Sequence, residues 1–445
     1  MNSAEQAYLF RHAVVRDAAY SLQLPGERAQ LHALALHVLE HLTPADQLDH
    51  TAALMAEHAR LAREGGAEPE RMLAAETRHL ATAVDFAASR DDLPALLALA
   101  MLQVELPGAA PRERIEALVL AGQAALGLGR RELAEQLAQR MLETATGMGD
   151  AVQVGRAYRA LSTVQQIKGQ GEASARHIRQ SIEILQRAGD RRELANSLIG
   201  AGFFAMIYGR NAEAREHIQQ ALQLSDEFPF EKSKALRAMG DTLMRTGEYE
   251  AALDCFRKSI AVLPAHLPRH HTVAARKGAA FALSRMGRLD GAAHELSQLL
   301  QQALKAGRYT DAFNCTTLLG EIEVEKGELE RAEAHMRSAL QLASEGGRHE
   351  SAVALGNLGG LLVQRGKLTE AESLLQESLR LRNPATPEAD MVSVMFHLGE
   401  LRFLQDRHEE ARRHYASCEE LGRRFGDRRY AERVQARLDS LDPLP

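Results

Sequence analysis

The sharpest chemical pattern in this 445-residue sequence is His37-Val38-Leu39-Glu40-His41. Two imidazoles one helical turn apart can hold zinc while the intervening carboxylate acts on a bound water, the chemistry of a zinc hydrolase. Such a centre needs a further ligand, and the spacing assigns none. The same stretch reads as a helix whose Leu34, Val38 and Leu42 account for it as packing. With 18 His in the chain, pairs at this spacing arise by chance. No metal is therefore assigned, and His270-His271 reads as a solvated loop pair.

Other chemistries leave fainter traces. No G-x-S-x-G occurs, and the nearest approach to a phosphate-binding loop is Arg365-Gly366-Lys367-Leu368. It lacks the earlier Gly and the hydroxyl that would meet magnesium. Cys255, Cys315 and Cys418 are far apart, form no C-x-x-C, and fit a reducing compartment. No catalytic residue and no cofactor follows, and the chain is expected not to be an enzyme. The net charge of −6 supplies no global basic field for nucleic acid or an anionic membrane. The start, MNSAEQAYLF, lacks the basic end and apolar core of a signal peptide, and no apolar run approaches membrane-spanning length. A cytoplasmic location is expected.

What could position a binding surface is a repeat. Ser233 to Pro264 carries apolar or small residues at helical spacing on both sides of Thr246-Gly247, from Leu236 to Leu243 and from Tyr249 to Leu263. Two amphipathic helices joined by a short turn follow. Gly240 and Ala252 are small where two helix axes must approach, and Gly247 suits the positive φ of a helix end. Pro264 stops the second helix. The same turn recurs at Gly129, Gly169, Gly209, Gly287, Gly327, Gly366 and Asp406, with spacings of 38 to 40 residues. Five residues after each lies Ala or Ser; seven before lies Gly, Ala or Ser. Arg90, with Ala83 and Ala95, marks a degenerate ninth hairpin.

In its small residue, Gly, Tyr, Ala, Phe and Pro, this unit resembles a tetratricopeptide repeat, with Ser259 in place of a late small Ala. The expected fold is all-α, a right-handed α-α superhelix of helical hairpins with a period of about 40 residues. Trp is absent and aromatic residues make up only 4%, which suits close-packed helices.

In that family the first helix of each hairpin lines a concave groove. Carried over by offset, the resemblance implies a groove formed by Arg156, Arg159, Asn196, Phe203, Ile207, Lys234, Arg237, Asp241, Arg245, Lys277, Phe281 and Arg285, basic with interleaved aromatics. Glu321, Glu325 and Glu400 would make the other half acidic. The expected partner is a protein or peptide segment, acidic or carboxylate-bearing.

Before the array, Phe10-Arg11-His12-Ala13, Arg16-Asp17-Ala18-Ala19-Tyr20, Leu24-Pro25, Arg28 and Leu31-His32 resemble a segment of bacterial signalling ATPases and repeat-bearing protein kinases. There it lies between a nucleotide-binding module and a repeat array, near the end of a winged-helix-like region. The resemblance implies a scaffold or sensor in bacterial-type cytoplasmic signalling, working with an ATPase or kinase module in cis or in trans. The alternatives are a regulator that responds to a peptide or small effector and, less favoured, the zinc hydrolase. The organisation expected is an N-terminal helical segment (1–42), connecting helices (43–70), the repeat array (71–427) and a capping helix with its tail (428–445).

Overall fold

The computed structural model describes residues 23–264, 272–346, 348–382, 390–425 and 430–441. Among these there are 21 α-helices, one short 3-10 turn and no strand. The chain divides into two compact units, residues 1–149 and 150–445. His270-His271 lies outside the described residues, as do residues 10–20 of the N-terminal resemblance.

The first unit holds α1 (Pro25–Leu42), α2 (Leu48–Glu64), α3 (Pro69–Ser89), α4 (Leu93–Val104), α5 (Pro111–Gly127) and α6 (Arg131–Met148). One expectation fails here. Leu34, Val38 and Leu42 do not pack α1; they are 57%, 42% and 75% exposed. The buried face is instead Ala29 and Leu36, set against Met55, Ala59, Ala62, Met72 and Ala75. Ala29 and Ala33 let the helices approach closely while Leu36 and Leu39 pack on the same side, and Leu34, Val38 and Leu42 are left outside. The degenerate turn is also displaced by one residue, since it is Asp91, not Arg90, that has φ +59°.

The second unit comprises α7 (Ala151–Ile167), α8 (Gly171–Ala188), α9 (Arg191–Ile207), α10 (Asn211–Leu224), α11 (Pro229–Thr246), α12 (Tyr249–Ala261) and α13 (Val273–Arg285). It continues with α14 (Leu289–Lys305), α15 (Tyr309–Glu325), α16 (Leu329–Gly346), α17 (Arg348–Gln364), α18 (Leu368–Arg380), α19 (Met391–Leu404), α20 (His408–Phe425) and α21 (Ala431–Leu441). Odd-numbered helices from α7 to α19 are the first members of successive hairpins. Each turns into its partner through a residue with positive φ, Gly247 at +81° and Asp406 at +58° among them.

The small positions are where the hairpins close. Ala134, Ser174, Ala214, Ala252, Ala292, Ala332, Ala371 and Ala411 are all fully buried. Across five turns of the second unit, the glycine seven before the marker faces the residue nine after. A Cβ added at Gly240 would lie 2.7 Å from the Phe256 ring, and one added at Gly399 would lie 2.4 Å from Tyr415. Phe256 also meets Gly278 of the next hairpin, where a Cβ would come within 2.6 Å. One aromatic ring thus fills the space left by glycines of two units.

The second unit has an inner layer. Every first helix touches the first helix of the following hairpin, whereas no two successive second helices make a comparable contact among the described residues. The first helices therefore sit closer together, which sets them on the concave side of the stack.

Candidate functional site

The inner layer carries the predicted groove residues, and the structure shows how they are held. In α7, Arg159 forms a 2.7 Å ion pair with Glu193 of α9, and Arg156 lies 3.8 Å from the same carboxylate. Burial works against ionising Glu193, but the charges of Arg159, Arg156 and Lys234 outweigh it and hold the carboxyl below its ordinary range. One helix further on, Lys234 donates to Asn196 Oδ1 at 3.3 Å and stands 4.5 Å above the Phe230 ring. Burial pushes the Lys234 ammonium pKa down. Arg237 covers the Phe203 ring at 5.3 Å and pairs with Asp241 at 3.0 Å. Burial raises the Asp241 pKa against the pull of Arg237.

In α13, Lys277 pairs with Asp311 of α15 at 3.1 Å, where Arg308 also bonds. Arg285 lies 5.8 Å from the Tyr249 ring centroid, and Arg245 is exposed at the end of α11. Phe281 and Ile207 are 43% and 55% exposed.

Two parts of the electrostatic expectation need correction. The basic half is not a bare positive wall, because Arg156, Arg159, Arg237 and Lys277 each have a carboxylate beside them. Nor does Glu400 face a groove: it is buried, accepts a 2.7 Å hydrogen bond from the Tyr415 hydroxyl, and is gripped by Arg437 at 2.8 and 2.9 Å. The remaining acidic residues, Glu321 and Glu325, are exposed on α15.

The overlooked partners had a signal. An acidic residue stands sixteen before the turn marker in Glu113, Glu193, Glu231, Asp311, Glu350 and Asp390. That offset is the first turn of the first helix, where a carboxylate also favours the helix N-terminus. In two cases it receives a cation from 34 residues earlier, Arg159 to Glu193 and Lys277 to Asp311.

The HxxEH stretch is laid out differently from a zinc centre. His41 Nδ1 is 2.8 Å from the His37 carbonyl, and Glu40 is engaged by His79 at 2.7 Å and by Arg78. The imidazoles brought together from different helices are His32 and His58, whose Nδ1 atoms are 2.8 Å apart. Burial lowers the pKa of both. No cluster of three or more His, Cys, Asp or Glu suited to a metal occurs among the described residues. None of those residues forms a helix long and apolar enough to cross a membrane.

Stacked hairpins with a marked turn and two small positions define a helical-repeat protein of the solenoid class. Two family models match: a MalT-like TPR region over residues 278–440 and a tetratricopeptide repeat over residues 193–265. The chain is a tetratricopeptide-repeat protein. No curated protein matches the sequence.

Among solved structures, the fold is similar to that of a Rap protein complexed with competence and sporulation factor. The TM-score is 0.50 at 12% identity, over 75% of this chain and 99% of that one. Apo RapI gives a TM-score of 0.48 at 14% identity, over 60% of this chain and 97% of that one. A signal transduction ATPase with numerous domains, bearing a tetratricopeptide-repeat sensor and coming from Pyrococcus horikoshii, gives 0.40 at 14% identity, over 70% of this chain and 52% of that one.

Proposed function

We propose that the chain is a non-enzymatic binding scaffold whose second unit takes an extended protein or peptide segment along its inner layer. The observation that carries this reading is the column two residues before the turn marker. There Ile207, Arg245, Arg285 and Glu325, from four successive first helices, are all exposed on one layer. A surface that merely closes the stack would place small or apolar residues there, as the hairpin interiors do. One apolar and three charged groups at a fixed spacing suit an extended ligand, which can meet successive hairpins with successive side chains. The Rap protein complexed with competence and sporulation factor shows one solenoid of similar fold in a binding role, which supports the reading by analogy only.

The wider placement is part of the same proposal. It is a sensor or scaffold in bacterial-type cytoplasmic signalling that works with an ATPase or kinase module in cis or in trans, and its support is the resemblance of residues 8–42. The partner segment is better described as mixed in charge than as acidic, because the inner layer pairs most of its own cations.

The test is a pull-down from the native host followed by titration of the recovered partner against variants. Arg245→Glu with Arg285→Glu should weaken binding at least tenfold, and affinity should fall with added salt. Arg257→Glu, an exposed position on the second helix α12, should not change it. Equal affinity for all three proteins would remove the inner layer as the binding surface. Lys234 is a poorer probe, since its reversal would put a new carboxylate beside Glu231 and Glu193.

A further inference from the structure

The column two residues before the turn marker begins one hairpin earlier than Ile207, at Ile167, the last residue of α7. Ile167 and Ile207 are 43% and 55% exposed, and the first helices that carry them, α7 and α9, are in contact. Tyr208 follows Ile207 and is 48% exposed. Its ring is nevertheless fixed. It lies 4.7 Å from the Phe204 ring, Arg210 lies 5.9 Å from its centroid, and its hydroxyl takes the space that a side chain at Gly171 would fill. Gly171 opens α8, across the Gly169 turn from Ile167, so Tyr208 reaches the tip of the preceding hairpin. An aromatic side chain already held in place loses little freedom when a ligand covers it.

The next two residues of the column are Arg245 and Arg285, both exposed. Arg159, Arg237 and Lys277 have carboxylate partners on this layer, whereas neither Arg245 nor Arg285 has one among the described residues. We infer that this end of the inner layer reads a peptide in which a large apolar side chain stands a few residues from an acidic one. The apolar side chain loses water against Ile167, Ile207 and Tyr208. The carboxylate accepts from Arg245 or Arg285 without breaking an ion pair, as it would have to at Arg159 or Lys277. A basic residue at the same place would meet like charge. Packed helices lie about 8 to 10 Å apart and an extended chain advances about 3.3 Å per residue, so one step between first helices spans about three residues. The apolar and acidic residues of the ligand should therefore be about three to six positions apart, the shorter spacing for Ile207 with Arg245 and the longer for Ile167 with Arg245.

This assignment rests on the inner-layer reading above, and the two can fail separately. Random dodecapeptides displayed on phage are selected on the full chain, and the recovered peptides are resynthesised. Their sequences should share a large apolar residue about three to six positions from an Asp or Glu. On the parent protein, replacing that apolar residue by Ser should cost about tenfold or more in affinity. Ile167→Ser with Ile207→Ser should weaken the unaltered peptide as much, and on that variant the peptide substitution should cost little more. Amidating the peptide carboxylate, Asp to Asn or Glu to Gln, should behave in the same way against Arg245→Gln with Arg285→Gln. Circular dichroism and melting should stay at the parent values for both variants, whose altered positions are exposed. The peptide-side substitutions leave the protein untouched and read the same contacts if either variant fails to fold.

Recovered peptides without a recurrent apolar residue, or affinities blind to Ile167→Ser with Ile207→Ser, would overturn the apolar subsite. If such peptides still respond to Arg245→Gln with Arg285→Gln, the subsite falls and the inner-layer reading stands. No recovered peptide, or peptides blind to all four substitutions, would overturn both.

Discussion

At the scale of single residues, a dense ion-pair cluster of the second unit centres on Glu333 of the second helix α16. Glu333 is buried and accepts from Arg337 at 2.8 and 3.0 Å, from Lys367 at 2.9 and 3.0 Å, and from Arg365. Burial opposes its ionisation, but the bonds from Lys367 and Arg337 hold the carboxyl down at about 2. Because the folded pKa lies below the unfolded one, the stabilisation is present above about pH 4.5 and fades as pH falls toward 2. Glu333→Gln should therefore destabilise by roughly 3 kcal/mol at neutral pH, as removing one partner of a buried charge cluster does. Urea melts of parent and variant from pH 7 down to pH 2.5 check this, and the gap should narrow below pH 4.5; a gap independent of pH would contradict it. Little of this network was legible in the sequence. Glu333 and Lys367 are 34 residues apart, and only the repeat register shows that such residues are neighbours. The same register made Arg159, Arg237 and Lys277 identifiable as inner-layer residues, but the carboxylates facing Arg159 and Lys277 went unseen because those pairs run between hairpins.

At the scale of the element, each hairpin depends on a turn and a wedge. Gly247 has φ +81°, and a Cβ there would meet nothing within 4 Å, so a substitution costs backbone strain and not a clash. Gly247→Val should lose about 1 kcal/mol or more in chemical denaturation, and Gly247→Asn clearly less, because Asn tolerates the left-handed region. Equal losses would mean that the turn conformation is not what the substitution disturbs. The wedge is Phe256, fully buried between Gly240 and Gly278. Phe256→Ala should cost about 3 to 5 kcal/mol by opening a cavity shared by two units, and thermal melts would read it. A loss below about 1 kcal/mol would show that the neighbouring hairpins collapse to fill the space. Turns and wedges were legible because both rest on residue size at fixed spacing. Ser259 was legible only as a departure from the family pattern; in the structure its hydroxyl donates to the Ser233 carbonyl at 2.8 Å while Ser233 returns the bond to the Ser259 carbonyl at the same distance. The face of α1 was misread because apolar residues occur on two sides of it, and packing selected the side of Ala29, Leu36 and Leu39 over that of Leu34, Val38 and Leu42.

At the scale of the whole molecule, the proposed binding surface is the layer formed by successive first helices of the second unit. Hydrogen exchange followed by mass spectrometry on the full chain, with and without its partner or a selected peptide, tests it most directly. Binding to the inner layer should slow exchange in 191–207, 229–246, 273–285 and 309–325, the helices that carry Asn196, Phe203, Arg245, Phe281 and Glu325. The second helices 211–224, 249–261 and 289–305 should change least. Protection confined to those second helices, or to residues 25–64, would rule out the inner layer and move the binding surface to the outer layer or to the first unit.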